Sequence, residues 1–376
     1  MHGELIRNLG GQLTYVPKRL PGPLRLDWEL NHLLNVAERA LGRLVGVGQT
    51  LPDPRIVVHS FIRREAQLSS RIENTHADIS DLALFEQAPS VEKRVPDVRE
   101  VHNNERALTY GLESVQQHGR EIGLPLIKDM HDLLLRGVRG GEKRPGQFRN
   151  VQVIIGRTER IDDARYVPPP PGKVHELMEQ LESYIKSPGD LPPIARAAMI
   201  HYQFEAIHPF EDGNGRIGRV LILLLLCAEK VLPLPLLNPS AFLEAHRDEY
   251  YQHLLDVSRK GAWAEWVKFF ARGIETAAMD AVVRIDRLRR LQAEYYGKLQ
   301  TARSSALLLK LVDELFVRQA ITTTQAAHVM GVAYVSAQSS IDKLVAAGIL
   351  REITGQRRNK VYLADGIIAA VGGGSE

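Results

Sequence analysis

Apolar residues recur at helical spacing along most of the chain. Leu30, Leu33, Leu34, Val36, Ala37, Ala40, Leu41 and Leu44 predict a helix over residues 27–45, and Gly46, Gly48, Pro52 and Pro54 are expected to end it. Further helices are predicted over 55–73, Val101–Val115, Leu126–Leu135, 173–186 and 194–207. Val220 to Ala228 is apolar on every face, so it reads as a buried helix. Two proline-broken stretches, 232–235 and 238–239, precede a helix holding Tyr250 and Tyr251. Trp263, Trp266, Phe269 and Phe270 then recur at a spacing that suits a core.

The exceptions to this pattern are short. Residues 1–30 are rich in Pro and Gly and read as an extended arm. Val151 to Gly156 is a β-branched run bounded by Gly, which predicts a strand or one arm of a hairpin, with Arg160 to Pro171 as the far arm. Pro168 to Pro171 is a stiff polyproline connector. Residues 276–303 predict a long charged helix linking two domains. From 304 the order is helix, a cap at Thr323 or Thr324, a turn at Gly331, a second helix ending at Gly348, and a basic wing with Arg357, Arg358 and Lys360. That is the pattern of a winged helix-turn-helix. Its second helix carries only Lys343 as a basic residue, so DNA binding and a docking or dimerisation role both stay open. The expected class is therefore mainly α, with a small β-hairpin flap.

Composition narrows the setting. The 376 residues have a formal charge of +3, too small to argue for nucleic acid by itself. The single cysteine, Cys227, permits no intrachain disulfide and fits a reducing compartment. The first residues lack the apolar core of a signal peptide and the 220–228 run is too short to span a bilayer, so a cytoplasmic protein without membrane contact is expected.

The chemistry concentrates in His208 to Arg219, just ahead of the buried helix. Gly213 and Gly215 flank Asn214, which lets the backbone turn its N–H groups inward around an anion. A helix starting here adds the positive end of its dipole along Gly215, Arg216, Ile217 and Gly218. Arg216 and Arg219 are three apart, so both are expected to reach the same anion from one face. Asp212 offers an oxygen for Mg²⁺, and His208 can accept a proton from an attacking hydroxyl. Neither a Walker A nor a dinucleotide-binding fingerprint is present.

The string His208-Pro-Phe-Glu-Asp-Gly-Asn-Gly-Arg-Ile-Gly-Arg219 resembles the motif of the Fic (filamentation) family at every fixed position, and the similarity extends over most of residues 10–275. The resemblance implies transfer of AMP from ATP to a protein hydroxyl, including autolabelling. His208 would be general base and Asp212 would hold Mg²⁺. Gly213 to Gly215 with Arg216 would bind the α- and β-phosphates and Arg219 the γ-phosphate. It also implies that Ser69-x-x-x-Glu73-Asn74 is an inhibitory motif whose Glu73 pairs with Arg219. Tyr251 would line the adenine pocket, and Val153, Ile154, Ile155 and Gly156 would form a flap that adds a target segment. The expected divisions are 1–95, an N-terminal helical region with the inhibitory motif; 96–275, the catalytic core; 276–303, a linker helix; and 304–376, the winged-helix module. Two other readings use the same residues: removal of AMP by a water that Glu73 orients, and a transcription regulator whose core senses nucleotide. The sequence leaves open the target protein, a homodimer and what relieves inhibition.

Overall fold

The computed structural model describes residues 2–8, 10–88, 93, 95–156, 160–187, 189–299, 306–355 and 359–372; Arg357 and Arg358 of the expected wing lie outside them. The first elements correct the extended-arm expectation. β1 (Gly3–Arg7) and β2 (Leu13–Pro17) form an antiparallel hairpin with Leu5 opposite Tyr15. Tyr15 and Val16 are buried, so the hairpin is held by packing that local composition does not reveal.

The helices follow as α1 (Trp28–Gln49), α2 (Arg55–Ile72), α3 (Ile79–Gln87), α4 (Val98–Gln116), α5 (Leu124–Leu135), α6 (Pro171–Lys186), α7 (Pro193–Ile207) and α8 (Asn214–Ala228). α9 (Pro239–Ala245), α10 (Arg247–Lys260) and α11 (Trp263–Leu299) complete the main body. α1 runs through Gly46 and Gly48, where an end was expected. Gly48 faces Leu234 and Leu236 across a gap that a side chain would crowd, so it is there for close packing. α3 had no counterpart in the sequence reading.

α7 and α8 are the centre. Every residue from Ile217 to Cys227 is buried, between α4 and α5 on one side and α2 and α7 on others. Each fully buried Leu there contributes about 1.5–3 kcal/mol, which fixes the helix that carries the motif. α11 is one continuous helix across the expected linker boundary, and it packs along α1, α7, α9 and α10. Trp266 donates to the Ala198 carbonyl at 2.9 Å, joining α11 to α7.

The C-terminal part consists of α12 (Ala306–Arg318), β3 (Ala320–Thr322), α13 (Thr323–Met330), α14 (Tyr334–Ala346), β4 (Arg351–Glu352), β5 (Val361–Leu363) and α15 (Asp365–Gly372), its sheet in the order β3-β5-β4. Thr322, one residue before the expected position, caps α13 in a reciprocal box with Gln325. This part packs onto α2, α3 and α11. Ser60 donates to the Phe316 carbonyl at 3.2 Å, and Arg63 donates to Gln319 at 2.7 Å while pairing with Glu86 and Glu105. The helix that ends in Glu73 is thus gripped at its other end by the C-terminal elements.

Candidate functional site

α7 ends on His208, whose backbone is left-handed with φ 52°, and α8 starts from Gly213, also left-handed with φ 77°. The loop between is stapled by one side chain: Asn214 accepts from Phe210 N–H at 2.8 Å and donates to the Phe210 carbonyl at 2.9 Å. Two residues that the sequence reading missed hold it from outside. His131 accepts from Gly146 N–H at 2.9 Å, which leaves its other nitrogen protonated to donate to the Asp212 carbonyl at 2.9 Å. Its ring stacks on Phe210 with centroids 3.7 Å apart. Arg149, buried, donates to the carbonyls of His208 at 2.8 Å, Pro169 at 2.6 Å and Val151 at 3.1 Å. Neither is discoverable from spacing, because their partners are backbone atoms distant in sequence.

The two arginines point to different company. Arg219, 1% exposed, pairs with Glu73 at 2.7 Å and donates to the Ser69 hydroxyl and carbonyl, both at 2.9 Å. Arg216 lies 3.5 Å from Glu100 and 3.4 Å from Asp212, and it does not line the cavity that Arg219 faces. The expectation that both reach one anion from one face does not describe this state, because each guanidinium turns to its nearest carboxylate. Ile217 puts its side chain into the core, and Gly218 lies under Glu205, so what either offers a ligand is backbone. Gly215 is needed for a close approach: a Cβ there would overlap the Glu73 carboxylate oxygen.

These groups border a cavity of about 560 Å³. Glu73, Glu205, His208, Gly215 and Arg219 line it together with Tyr202, Tyr251, Leu254, Leu255 and Ser258. Of the paired tyrosines, Tyr250 is buried and bonds to His201 at 2.8 Å, whereas Tyr251 faces the cavity beneath the Arg247 guanidinium. The flap is thinner than a strand. Ile155 and Tyr166 make one antiparallel bridge, N–H to carbonyl at 2.9 and 3.1 Å, and Val153 and Ile154 pair with nothing of that kind among the described residues. Gly156 follows at the cavity edge.

Burial sets the protonation of the site. It pushes the His208 imidazole down to about 4, with the Arg149 charge adding to the effect, so His208 is neutral near pH 7. Burial alone would raise Glu73, but the Arg219 charge beside it carries it below the ordinary carboxylate range. Several buried polar atoms here have no hydrogen-bond partner among the described residues: His208 Nδ1, Glu205 Oε1, Arg219 Nη1 and Arg216 Nη1. Of these, His208, Glu205 and Arg219 line the cavity and Arg216 does not; buried polar atoms of this kind call for a water, an ion or a ligand. For Mg²⁺, Asp212 offers a carboxylate although it is not part of the cavity lining: its Oδ1 accepts from Gly213 N–H at 2.6 Å and from Arg216 at 3.4 Å, and among the described residues its Oδ2 meets the half-buried Lys143 ammonium at 3.6 Å, which a cation can displace.

The Fic/DOC family N-terminal model matches residues 31–113 and the Fic/DOC family model matches residues 121–226, together half of the chain. The chain belongs to the Fic/DOC family. Curated relatives include Protein adenylyltransferase Fic of Aedes aegypti, 30% identical over 201 residues, which are 53% of this chain and 37% of that one. The protein of the same name from Drosophila grimshawi is 32% identical over 181 residues, 48% of this chain and 34% of that one. The chain therefore spans about a third of the length of these relatives. Among solved structures, a Fic family protein from Desulfovibrio desulfuricans G20 superposes with a TM-score of 0.56 at 19% identity, covering 92% of this chain and 98% of its own. A Fic domain containing signaling protein from Bacteroides thetaiotaomicron reaches 0.52 at 16%, covering 67% of this chain and 97% of its own. These two share the Fic fold with this chain. Among the described residues no helix is long and apolar enough to cross a membrane.

Proposed function

We propose that this protein transfers AMP from ATP to a Ser, Thr or Tyr hydroxyl of a protein, itself included, and that Glu73 inhibits the transfer. The observation that carries this reading is the Glu73 carboxylate seated on Arg219 over Gly215, in the same cavity as the His208 imidazole. An anion already sits where a terminal phosphate belongs. The buried arginine needs a counter-charge, and leaving it without one costs on the order of 3–5 kcal/mol. Glu73 and the γ-phosphate compete for that role.

With Glu73 displaced, the dipole and N–H groups of α8 take the phosphates, and Tyr251, Leu254 and Leu255 cover the base. A target hydroxyl held against Ile155 attacks the α-phosphorus, the bond to pyrophosphate breaks, and the hydroxyl proton passes to the neutral His208 ring. Asp212 would hold Mg²⁺, which supplies charge neutralisation on the phosphates when bound. The test is transfer of the α-label of ATP by Glu73→Gly, with the γ-label left unmoved. If Glu73→Gly labels neither itself nor any protein above wild type, the reading falls.

Removal of AMP from a modified protein remains the second reading, because an ionised Glu73 in the cavity with His208 could orient a water. Release of AMP from a premodified target by wild type, and not by Glu73→Gly, would favour it. In the C-terminal part, the helix-strand-helix-helix-strand-strand order supports the winged-helix reading. The exposed side of α14 offers Tyr334 and Val335 with Lys343 beside Asp342, a face with too little positive charge to favour DNA over a protein partner. Salt-dependent binding to a specific DNA fragment would reverse that preference and support a nucleotide-sensing regulator.

A further inference from the structure

The Arg219 site contains a second carboxyl. Glu205 lies one turn before His208 on α7, in the wall of the cavity, and its Oε1 is buried without a hydrogen-bond partner among the described residues. Arg219 Nη1, in the same wall, also lacks one. The Glu205 carboxyl rests directly on Gly218, where any Cβ would overlap it, so the glycine one residue before Arg219 makes room for this acid. The nearby hydroxyl is already committed. His201 Nδ1 lies 2.9 Å from the Gly218 carbonyl and must therefore carry the proton, which leaves Nε2 to accept from Tyr250 at 2.8 Å. Tyr250 therefore has no proton to give Glu205.

The charged and titratable groups facing Glu205 are Arg219 from α8, Glu73 from the end of α2, and Tyr250 and Tyr251 from α10. Arg219 thus faces both carboxyls, and Arg216 acts on Glu73 alone of the two. Burial, with the Glu73 charge adding to it and Arg219 opposing, raises Glu205 to about 8, so with Glu73 in place it is the neutral acid.

Resting on the reading of this cavity as a nucleotide site, we infer that Glu205 is a positioning residue for the anion. As the neutral acid it leaves Arg219 free to face a phosphate, and as the carboxylate it becomes the counter-ion of Arg219 and competes with that phosphate. Three groups can then balance one arginine: Glu73 in the inhibited state, the nucleotide in the loaded state, and ionised Glu205 in the state with neither. Loading is coupled to proton uptake, because a bound phosphate returns Glu205 to its acid form. The affinity of the uninhibited protein for nucleotide therefore falls as pH rises, by up to about tenfold per unit while one proton is taken up.

The experiment measures Mg²⁺-ADP and Mg²⁺-ATP binding by calorimetry from pH 6.5 to 8.5, because loss of the Glu73 charge lowers Glu205 in the free protein and the terminal phosphate of the Mg²⁺ complex is already ionised there. The full-length proteins are Glu73→Gly and Glu73→Gly/Glu205→Gln. Expected for Glu73→Gly is an affinity that weakens at least fivefold across the range, with proton uptake seen as a dependence of the heat on the ionisation enthalpy of the buffer. The glutamine keeps the shape and cannot ionise, so in the double variant the affinity should stay within about twofold and the proton uptake should vanish. Equal pH profiles in the two proteins would overturn the role of Glu205. If the double variant does not fold, absence of proton uptake in Glu73→Gly alone is sufficient to overturn it. If no nucleotide binds Glu73→Gly at any pH, the fault lies with the nucleotide-site reading itself.

Discussion

The floor and the roof of the cavity are built in opposite ways. The floor, from His208 to Arg219, is tied by Asn214 to its own backbone, by His131 and Arg149 from outside, and by the buried helix α8 beneath. The roof, Val153 to Gly156 facing Tyr166, has one backbone bridge. Tight constraint suits groups that must meet a phosphorus within a fraction of an ångström, whereas an edge with unspent N–H and carbonyl groups suits a polypeptide partner that supplies its own. On this account the floor carries the chemistry and the roof chooses the target.

The sharpest way to break the floor is His208→Ala on the Glu73→Gly background, which should reduce α-label transfer by about 10²–10⁴-fold while nucleotide still binds. Acid should act on its histidines next. Burial holds His131 and His208 down to about 4, and His201 to about 3. The unfolded chain therefore takes up protons below pH 6.5 that the folded chain refuses. The contribution of these three histidines is full above that pH and is lost as pH drops toward 4, by about 1.4 kcal/mol per unit for each, whereas Glu65, Glu86 and Glu205, raised by burial to about 7, 7 and 8, contribute in the opposite sense. Denaturant unfolding of wild type and His131→Gln between pH 7 and 5 checks this: below pH 6.5 wild type should lose about 1.4 kcal/mol per unit relative to the variant.

Breaking the roof should leave the floor intact. Ile155→Pro removes the N–H that donates to Tyr166, so labelling of lysate proteins by the Glu73→Gly protein should fall severalfold with nucleotide affinity unchanged. Equal loss of both would mean that roof and floor are one unit. The smallest effect concerns the plug between them. Ser69→Ala removes the hydroxyl that receives Arg219 Nε but not the Ser69 carbonyl. One hydrogen bond is worth about 0.5–1.5 kcal/mol, so autolabelling should rise about twofold to tenfold over wild type.

The same contrast governs what the sequence could reveal. The floor was legible because its residues are contiguous and their types are restricted by chemistry: a left-handed glycine, a helix start and two arginines within twelve positions. The pairing of Glu73 with Arg219 was legible only through resemblance, since nothing in the spacing of Ser69 and Glu73 points to a partner 146 residues away. Arg149, His131 and Glu205 were not legible. Arg149 and His131 bond backbone atoms brought close by folding, and nothing in the sequence around Glu205 sets it apart from a packing or surface residue of a helix, since its contact with Gly218 is made only in the fold. The N-terminal hairpin failed for a related reason: Tyr15 is buried because Tyr202 lies 3.3 Å from its hydroxyl, a contact that Pro- and Gly-rich flanks conceal. The helices were legible almost to the residue where one face is apolar. They failed at α1, where Gly48 serves packing instead of termination, at α11, which runs unbroken through the expected start of a linker helix, and at α3 and α15, which were not foreseen.

On the proposal made above, Glu73 blocks an AMP transfer in which His208 takes the proton. Its most direct test incubates wild type, Glu73→Gly and Glu73→Gly/His208→Ala with α-labelled and γ-labelled ATP, Mg²⁺ and a cell lysate. Expected is α-label on protein with Glu73→Gly, at least about tenfold above wild type and lost without His208, and no γ-label beyond what the lysate alone acquires. Transfer of the γ-label above that background, or α-label that persists without His208, would contradict it.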